Sequence, residues 1–320
     1  MSKGYSPPGA PRGGTSKVQV IGAAEILATL DDRGRLDGLP FMPEMLRWCG
    51  QTVTVRARAD KTCDTVEFAG LRRMNETVHL DDARCDGSEH GGCQAGCLLF
   101  WKEAWLRPVS DIPDVDPPPA TALEALRTSS ADGDRYYCQA TELPRASEPL
   151  PWWAAGQYVR DVASGNVGIF GLARGLLVLF FNKYQGLSKR VLPRKLRIRG
   201  GRWYPFVIGT QTKTPIQTLD LQPGELVQVK TRREILDTLN AAGRNRGLSF
   251  DAEMLPYCGR EFRVLRRVER IIDEKTGLML QLPRDCIVLA GVTCQAFYHR
   301  FCPRAIYPYW REIWLKPVER

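Results

Sequence analysis

Histidine is scarce in this chain, which has only three in 320 residues. Two of the three fall on equivalent positions of an internal repeat, so a Ser-His-Asp arrangement is hard to build. The chain also lacks a glycine-rich phosphate loop of the P-loop or dinucleotide type. An enzyme would therefore have to use a bound metal or its thiols, and the sequence leaves open whether the chain is an enzyme.

Long apolar runs are missing as well. No run of 18 uncharged apolar residues occurs, so we expect no transmembrane segment. Residues 1–17 are rich in Gly, Pro and Ser and predict a disordered tail without the apolar stretch of a secretory signal. We therefore expect a cytoplasmic protein whose ten cysteines stay reduced. In that compartment clustered cysteines indicate metal or redox chemistry rather than disulfides.

Acidic residues are absent from residues 162–219, whereas the same stretch holds ten Lys and Arg. The net charge of +9 therefore resides in this segment, and such a field attracts a polyanion. Interleaved aromatic residues favour single-stranded nucleic acid. A membrane surface is a less favoured alternative, and a buried helix followed by a solvated basic strand is the simplest interpretation. The candidate anion-binding residues are Lys189, Arg190, Arg194, Lys195, Arg197, Arg199 and Arg202.

The chain contains an internal repeat, in which one sequence module occurs twice. Val18-Gln19-Val20 reappears as Val227-Gln228-Val229, and Trp105-Leu106 reappears as Trp314-Leu315. The offset is a constant 209 residues from Val18 to Val109, without a gap, and about a third of the positions are identical. So long a match indicates an internal duplication.

Each copy has the pattern of a small β-barrel with one short helix. Val53 and Val55 alternate with polar residues, which is typical of a half-buried strand. Residues 221–227, Leu-Gln-Pro-Gly-Glu-Leu-Val, predict a turn that leads into a strand. This opening resembles that of SH3-like barrels in translation-type proteins. The whole chain is also similar to a family of uncharacterised bacterial proteins, a resemblance that implies no activity.

The offset also aligns cysteines and histidines. Within each copy a close-spaced Cys, His and Cys follow an upstream Cys. Three thiolates and one imidazole are a common tetrahedral zinc set, and binding would stabilise a small barrel. The sequence therefore predicts two zinc sites, with Cys49, Cys85, His90 and Cys93 in the first copy and Cys258, Cys294, His299 and Cys302 in the second.

The first copy has two further cysteines. Cys63 and Cys97 stand where the second copy has Ile272 and Ile306, so the two thiols are expected to be neighbours, as extra ligands or reactive groups. An iron–sulfur cluster in the first copy is the alternative to zinc. Cys138 and Cys286 receive no role. The tryptophans Trp101, Trp105, Trp310 and Trp314 are expected to pack in the core rather than to form a binding platform.

These observations predict an α+β chain with two homologous SH3-like barrel modules joined by a linker and a helical basic segment. The expected organisation is a tail (1–17), a first module (18–109), a linker (110–150), a basic helical connector (151–220) and a second module (221–320). The leading functional hypothesis is a zinc-binding scaffold with a basic surface for a polyanionic partner. The alternative is an iron–sulfur or thiol-dependent redox or biosynthetic enzyme with its active site in the first copy.

Overall fold

The structure, a computed structural model, describes residues 16–109, 120–282 and 286–318. The architecture is mixed α/β and is built on two five-stranded antiparallel sheets that curl into half-barrels. Most of the predicted tail lies outside the described residues. Lys17, which the sequence assigned to the tail, begins the first strand and pairs with Thr54.

The first module forms one curled sheet and a small hairpin beside it. The strand order in the sheet is β8-β7-β4-β1-β9, and the hairpin pairs β5 with β6. The elements are β1 (Lys17–Val20), α1 (Ala23–Leu27), β2 (Arg35–Leu36), β3 (Leu39–Pro40), β4 (Thr52–Arg58), β5 (Lys61–Cys63), β6 (Leu71–Arg73), β7 (Thr77–Arg84), β8 (Leu98–Lys102) and β9 (Leu106–Pro108). A 3-10 turn at Pro43–Trp48 connects β3 to β4.

The segment between the modules contains α2 (Ala120–Ser130), β10 (Ala131–Asp132), β11 (Arg135–Tyr136), β12 (Glu148–Leu150), α3 (Gly156–Ala163) and α4 (Ile169–Val191). The predicted linker is therefore structured from Ala120 onward, whereas residues 110–119 lie outside the described part. Leu126 and Leu143 are buried in the core of the first module, and β12 pairs with β6. The Gln139 amide donates hydrogen bonds to the carbonyls of Pro40 and Phe100. This stretch belongs to the first module.

The predicted basic connector contains the two helices α3 and α4, as the apolar pattern indicated, with a break at residues 164–168. The expected basic strand after them does not form. Two 3-10 turns stand in its place, Arg194–Leu196 and Ile198–Gly201. The guanidinium of Arg197 donates to the carbonyls of Lys189 and Leu192, which holds the chain against the end of α4 instead of extending it.

The second module repeats the layout of the first, with the strand order β20-β19-β16-β13-β21. The elements are β13 (Leu226–Val229), α5 (Arg232–Leu236), β14 (Arg244–Asn245), β15 (Leu248–Ser249), β16 (Glu261–Arg267), β17 (Arg270–Ile272), β18 (Met279–Gln281), β19 (Cys286–Leu289), β20 (Trp310–Arg311) and β21 (Leu315–Pro317). From β13 to β17 every element begins and ends 209 residues after its counterpart.

The tryptophans are core residues, as predicted. All four are fully buried. Trp105 packs edge-on against Phe41 at 5.2 Å and 79°, and Trp314 packs against Phe250 at the same distance and angle. The indole N–H of Trp105 donates to the Thr29 hydroxyl at 3.0 Å, and the indole N–H of Trp314 donates to the Thr238 hydroxyl at the same distance. The two cores therefore contain the same aromatic pair and the same indole hydrogen bond.

His79 gives the fold a predictable pH dependence. Its ring is fully buried against Phe100, Nδ1 donates to the Leu99 carbonyl at 2.8 Å, and Nε2 has no partner among the described residues. Burial lowers the pKa of His79 from 6.5 to about 3, only partly offset by the bond to Leu99. Unfolding therefore takes up a proton below pH 6.5, so stability falls as the pH drops.

We expect His79→Val, which copies Val288 of the second module, to remove this slope. Between pH 7 and pH 5 the native chain should lose about 2 kcal/mol more free energy of unfolding than the variant, because one pKa unit corresponds to about 1.4 kcal/mol. Denaturant titrations at the two pH values measure the difference. Parallel curves for both proteins would show that His79 is not buried in its neutral form.

Candidate metal centres

In the first module a glutamate, a cysteine and a histidine come together. The ligand atoms of Glu44, Cys85 and His90 all lie within 4.8 Å of one another. Glu44 lies in the 3-10 turn after β3, Cys85 directly follows β7, and His90 lies in the loop before β8. Oε1 of Glu44 is 2.7 Å from His90 Nδ1 and 3.7 Å from Cys85 Sγ. The imidazole and the carboxylate are fully buried, so this polar group is isolated from solvent.

The equivalent residues meet in the second module. Glu253, Cys294 and His299 also lie within 4.8 Å of one another, and Cys294 Sγ is 3.6 Å from His299 Nδ1. Burial lowers the pKa of His299, but hydrogen bonds to Asp251 and Cys294 outweigh it and raise the pKa to about 11. This second group is more accessible, since the His299 side chain is 41% exposed.

Both histidines face their group with the same nitrogen. Nδ1 points to the glutamate or cysteine, while Nε2 faces an acceptor on the far side. That acceptor is the Tyr137 carbonyl at 3.4 Å for His90 and the Asp251 carboxylate at 3.3 Å for His299. A metal-bound histidine usually donates its other ring N–H to such an acceptor. Both rings therefore present Nδ1 to the glutamate and cysteine of their group.

The two glutamates each leave a carboxylate oxygen unpaired. Oε2 of Glu44 and Oε2 of Glu253 are buried without a hydrogen-bond partner among the described residues. Burial raises the pKa of Glu253. A buried, unsatisfied carboxylate oxygen is costly, and a cation beside it would remove the cost. These two glutamates were not among the predicted ligands, although glutamate occupies the equivalent position in both copies.

Cys49 and Cys258, the predicted upstream ligands, are not in either compact group of the described chain. Each ends a 3-10 turn, at Pro43–Trp48 and Ala252–Tyr257, and packs in its module core. Burial raises the pKa of both thiols to about 11. The structure differs from the prediction because the turn directs Glu44 or Glu253, five residues earlier, towards the cysteine and histidine.

The two ligand loops have the same backbone path. The amide of Cys85 donates to the carbonyl of Cys97, and that of Cys294 donates to Ile306 at the equivalent place. Four residues of each loop have positive φ at matching positions: Gly87, Gly91, Gly92 and Gly96 in the first loop, and Ala296, Arg300, Phe301 and Ala305 in the second. Non-glycine residues rarely adopt this conformation, so the second loop keeps the shape of the first despite local strain.

Further cysteines line a small cavity beside the first group. A cavity of about 30 Å³ is lined by Cys85, His90, Cys93, Cys97 and Cys138 among others. Cys97, one of the two extra cysteines of the first copy, therefore lines the same cavity as Cys85 and His90, and Cys138, to which the sequence gave no role, lines it as well. The volume is enough for one or two water-sized groups, which suits a single ion.

Cys63 lies at the other site. Its backbone N–H donates to Cys302 Sγ at 3.0 Å, and it lines a cavity of about 420 Å³ together with Cys294, His299 and Cys302. Burial raises the pKa of Cys302, but hydrogen bonds from Cys63 and from the Arg304 backbone bring it below the ordinary value. Cys63 and Cys97 therefore line different cavities, because the β5–β6 hairpin of the first module reaches the second.

Each module contributes a hairpin residue that contacts a loop cysteine of the other module. Ile272, the counterpart of Cys63, donates its N–H to Cys93 Sγ at 3.5 Å, so the second module's hairpin reaches the first loop in the same way. Thr65 and Glu274, which are equivalent positions, hydrogen-bond to each other. A residue that contacts its own counterpart marks a local two-fold relation. Each hairpin thus contacts the loop of the other half of the chain.

A buried guanidinium lies between the two sites. Arg304 is 2% exposed and lines both cavities. It donates to the Thr65 hydroxyl at 2.5 Å and to Glu274 at 3.1 Å. Burial lowers the pKa of Arg304, but the surrounding carboxylate and thiols outweigh this and raise it. A fixed cation here offsets the negative charge that two thiolate-rich sites would bring together.

The candidate anion-binding residues lie at and beyond the C-terminal end of α4. Six of them are exposed, and Arg197 is half-buried because it binds the helix end. Lys189 and Arg199 lie over the rings of Trp203 and Phe206 at 5.7 and 4.7 Å. The predicted basic surface is thus exposed, mixed with aromatic rings, and separate from the cysteine-lined cavities.

No known protein family, curated protein or solved structure matches this chain.

Proposed function

We propose that this chain is a metal-binding scaffold in which two zinc ions hold an internal dimer together. One observation carries the proposal: the same glutamate, cysteine and histidine meet in both modules, and each glutamate keeps a buried oxygen without a partner. A divalent cation satisfies that oxygen and the deprotonated thiols at once.

The proposed ligand sets follow from the contacts that each module's hairpin makes with the loop of the other module. For the second site we propose Cys63, Cys294, His299 and Cys302, three sulfurs and one imidazole, which is a common zinc set. For the first site we propose four ligands from Cys85, His90, Cys93, Cys97 and Cys138. Glu44 and Glu253 lie beside the ions as further oxygen donors. Because the second set contains a residue of the first module, the ion would join the two modules directly.

The layout also supports a duplicated origin. Equal strand orders, elements spaced by 209 residues and reciprocal hairpins are what two copies of one dimerising module would leave after fusion. We infer that the ancestral module was a small SH3-like barrel that paired with a second copy of itself. In such a pair both metal sites would have been completed across the interface.

Metal content tests the proposal directly. Protein purified with its thiols reduced should be colourless and contain about two zinc ions per chain. A strong chelator should then lower the free energy of unfolding by several kcal/mol, because metal binding is coupled to folding. Elemental analysis and thermal unfolding with and without chelator give the two values. Reduced, folded protein without metal, and with an unchanged melting temperature in chelator, would exclude the proposal.

One observation favours a second candidate, an iron–sulfur or thiol-dependent enzyme with its centre in the first module. Four cysteines line a single small cavity there, and four thiolates are the usual ligands of such clusters. The cavity of about 30 Å³ favours one ion over a multi-iron cluster. Brown protein that contains iron and acid-labile sulfide would establish the second candidate instead of the first.

A further inference from the structure

Helix α4 is inverted relative to an ordinary surface helix. Its fully buried residues are small or polar, namely Gly175, Gln185 and Ser188, whereas Leu172, Leu176, Leu179 and Phe181 are only half-buried. Large apolar residues are exposed on one side: Leu177 (72% exposed), Phe180 (57%), Tyr184 (44%), Leu187 (60%) and Val191 (69%) recur every three or four positions, and Phe170 (92%) lies seven positions before Leu177. A helix normally turns such a stripe towards the core.

The orientation of α4 is fixed by contacts on its buried side. A Cβ at Gly175 would come within 2.8 Å of the Phe301 ring, so only glycine permits this close approach. The Gln185 amide donates to the carbonyls of Ile198 and Arg202 at 2.9 and 3.0 Å. The helix cannot rotate its apolar side inward without breaking these contacts. Exposure of the stripe is therefore a built feature of the fold.

The stripe is large enough to mark an interaction surface. Three aromatic and three aliphatic side chains in one row present apolar area on the order of several hundred Å², about the size at which an exposed patch indicates a partner. Trp153 and Trp203 add rings that are 69% and 62% exposed. Tryptophan and tyrosine are enriched where an apolar medium meets water.

The charge around α4 identifies the partner. Arg174, Lys183, Lys189 and Arg190 lie on this helix, and no acidic residue occurs from 162 to 219. A second copy of the chain would bring the same cations against each other, which is unfavourable. Nucleic acid matches the charge, but the aliphatic side chains of the stripe offer bases no stacking partner. An anionic lipid bilayer matches both the charge and the apolar stripe.

We propose that α4 docks the protein onto the surface of an anionic lipid bilayer. The stripe enters the boundary between headgroups and acyl chains, and the Lys and Arg side chains lie among the headgroup phosphates. No helix in the described ranges is long and apolar enough to cross a bilayer. The helix accordingly lies in the plane of the membrane, with the metal-binding modules on its aqueous side.

Vesicle flotation of the full chain, with its metal as purified, tests this proposal. The native protein should float with vesicles of phosphatidylcholine and phosphatidylserine, and much less with phosphatidylcholine alone. Leu177→Ser should weaken binding about tenfold or more, because one apolar side chain is lost from the lipid phase. Leu278→Ser, a matched change at an exposed leucine of the second module, should leave binding unchanged. Lys189→Gln and Arg190→Gln should each cost about fivefold.

Three results would overturn the proposal. The first is no flotation with anionic vesicles, or equal flotation of the two leucine variants. The second is a concentration-dependent dimer that Leu177→Ser abolishes, since the stripe would then be an interface between copies. The third is salt-sensitive binding to an oligonucleotide by a protein that ignores vesicles, which would restore the nucleic-acid interpretation of the basic segment.

Discussion

Replacing Cys63 by serine should remove the metal ion of the second module, although Cys63 belongs to the first. Its backbone N–H already bonds to Cys302 Sγ, and it lines one cavity with Cys294 and His299. Without this thiol the second site keeps three of its four proposed ligands. We expect zinc to fall from about two to about one per chain and stability to fall by several kcal/mol. Elemental analysis after gel filtration measures the first effect and denaturant unfolding the second.

The matched control is Cys258→Ser in the second module. The repeat alone predicts that Cys258 is a metal ligand and that Cys63 is an extra thiol of the first copy. The contacts in the structure instead favour Cys63 as a ligand of the second site and place Cys258 in the core. The control should therefore keep both zinc ions. If Cys258→Ser loses an ion while Cys63→Ser keeps two, the ligand set read from the repeat is right and the site shared between modules is refuted.

The sequence was informative where chemistry is local. Cys85 and His90 are five residues apart on one loop, and the same spacing separates Cys294 from His299. Residues so close on one loop meet whatever the rest of the fold does. The structure brings both pairs together, each with a glutamate. The repeat also predicted paired strands and buried tryptophans, because strand pattern and core packing depend on residues within one module.

The remaining ligands depend on contacts that no spacing records. Cys63 is closer along the chain to Cys85 than to Cys302, yet its backbone N–H bonds to Cys302 because the β5–β6 hairpin reaches the second module. Cys138 lies in a stretch whose Asp, Ser and Pro content suggested a linker, and it reaches the first site because Leu126 and Leu143 anchor that stretch in the core. Long-range packing of this kind becomes visible only in the folded chain.

The exposed apolar stripe of α4 is a second feature that the sequence alone does not predict. The sequence predicted a helical, basic segment, but a sequence pattern alone does not say which side of a helix is buried. The deciding contacts are Gly175 against Phe301, and the Gln185 amide with the chain after the helix. With a glycine and a glutamine on the buried side, Phe170, Leu177, Phe180 and Leu187 are left exposed. Composition therefore predicted a polyanionic partner, while the packing of the helix supports a lipid surface.

Gly87→Ala should be among the most damaging single changes in the first module. Gly87 begins the ligand loop with φ +73°, and an added Cβ would lie 2.8 Å from the backbone carbon and nitrogen of Cys93 and closer still to its oxygen. The clash is with backbone, so no side chain can move aside. Strain from the left-handed conformation and from overpacking should together cost about 3 kcal/mol. Cys93 would shift away from the other candidate ligands, so the first site should also bind its metal more weakly. Gly92→Ala isolates the clash, because Gly92 has the same φ of +73° but its nearest neighbour is the Arg270 side chain at 3.8 Å. That variant should cost only about 1–2 kcal/mol and keep both ions. Equal losses of stability and metal in the two variants would show that backbone conformation alone, and not the close approach of Gly87 to Cys93, governs the loop.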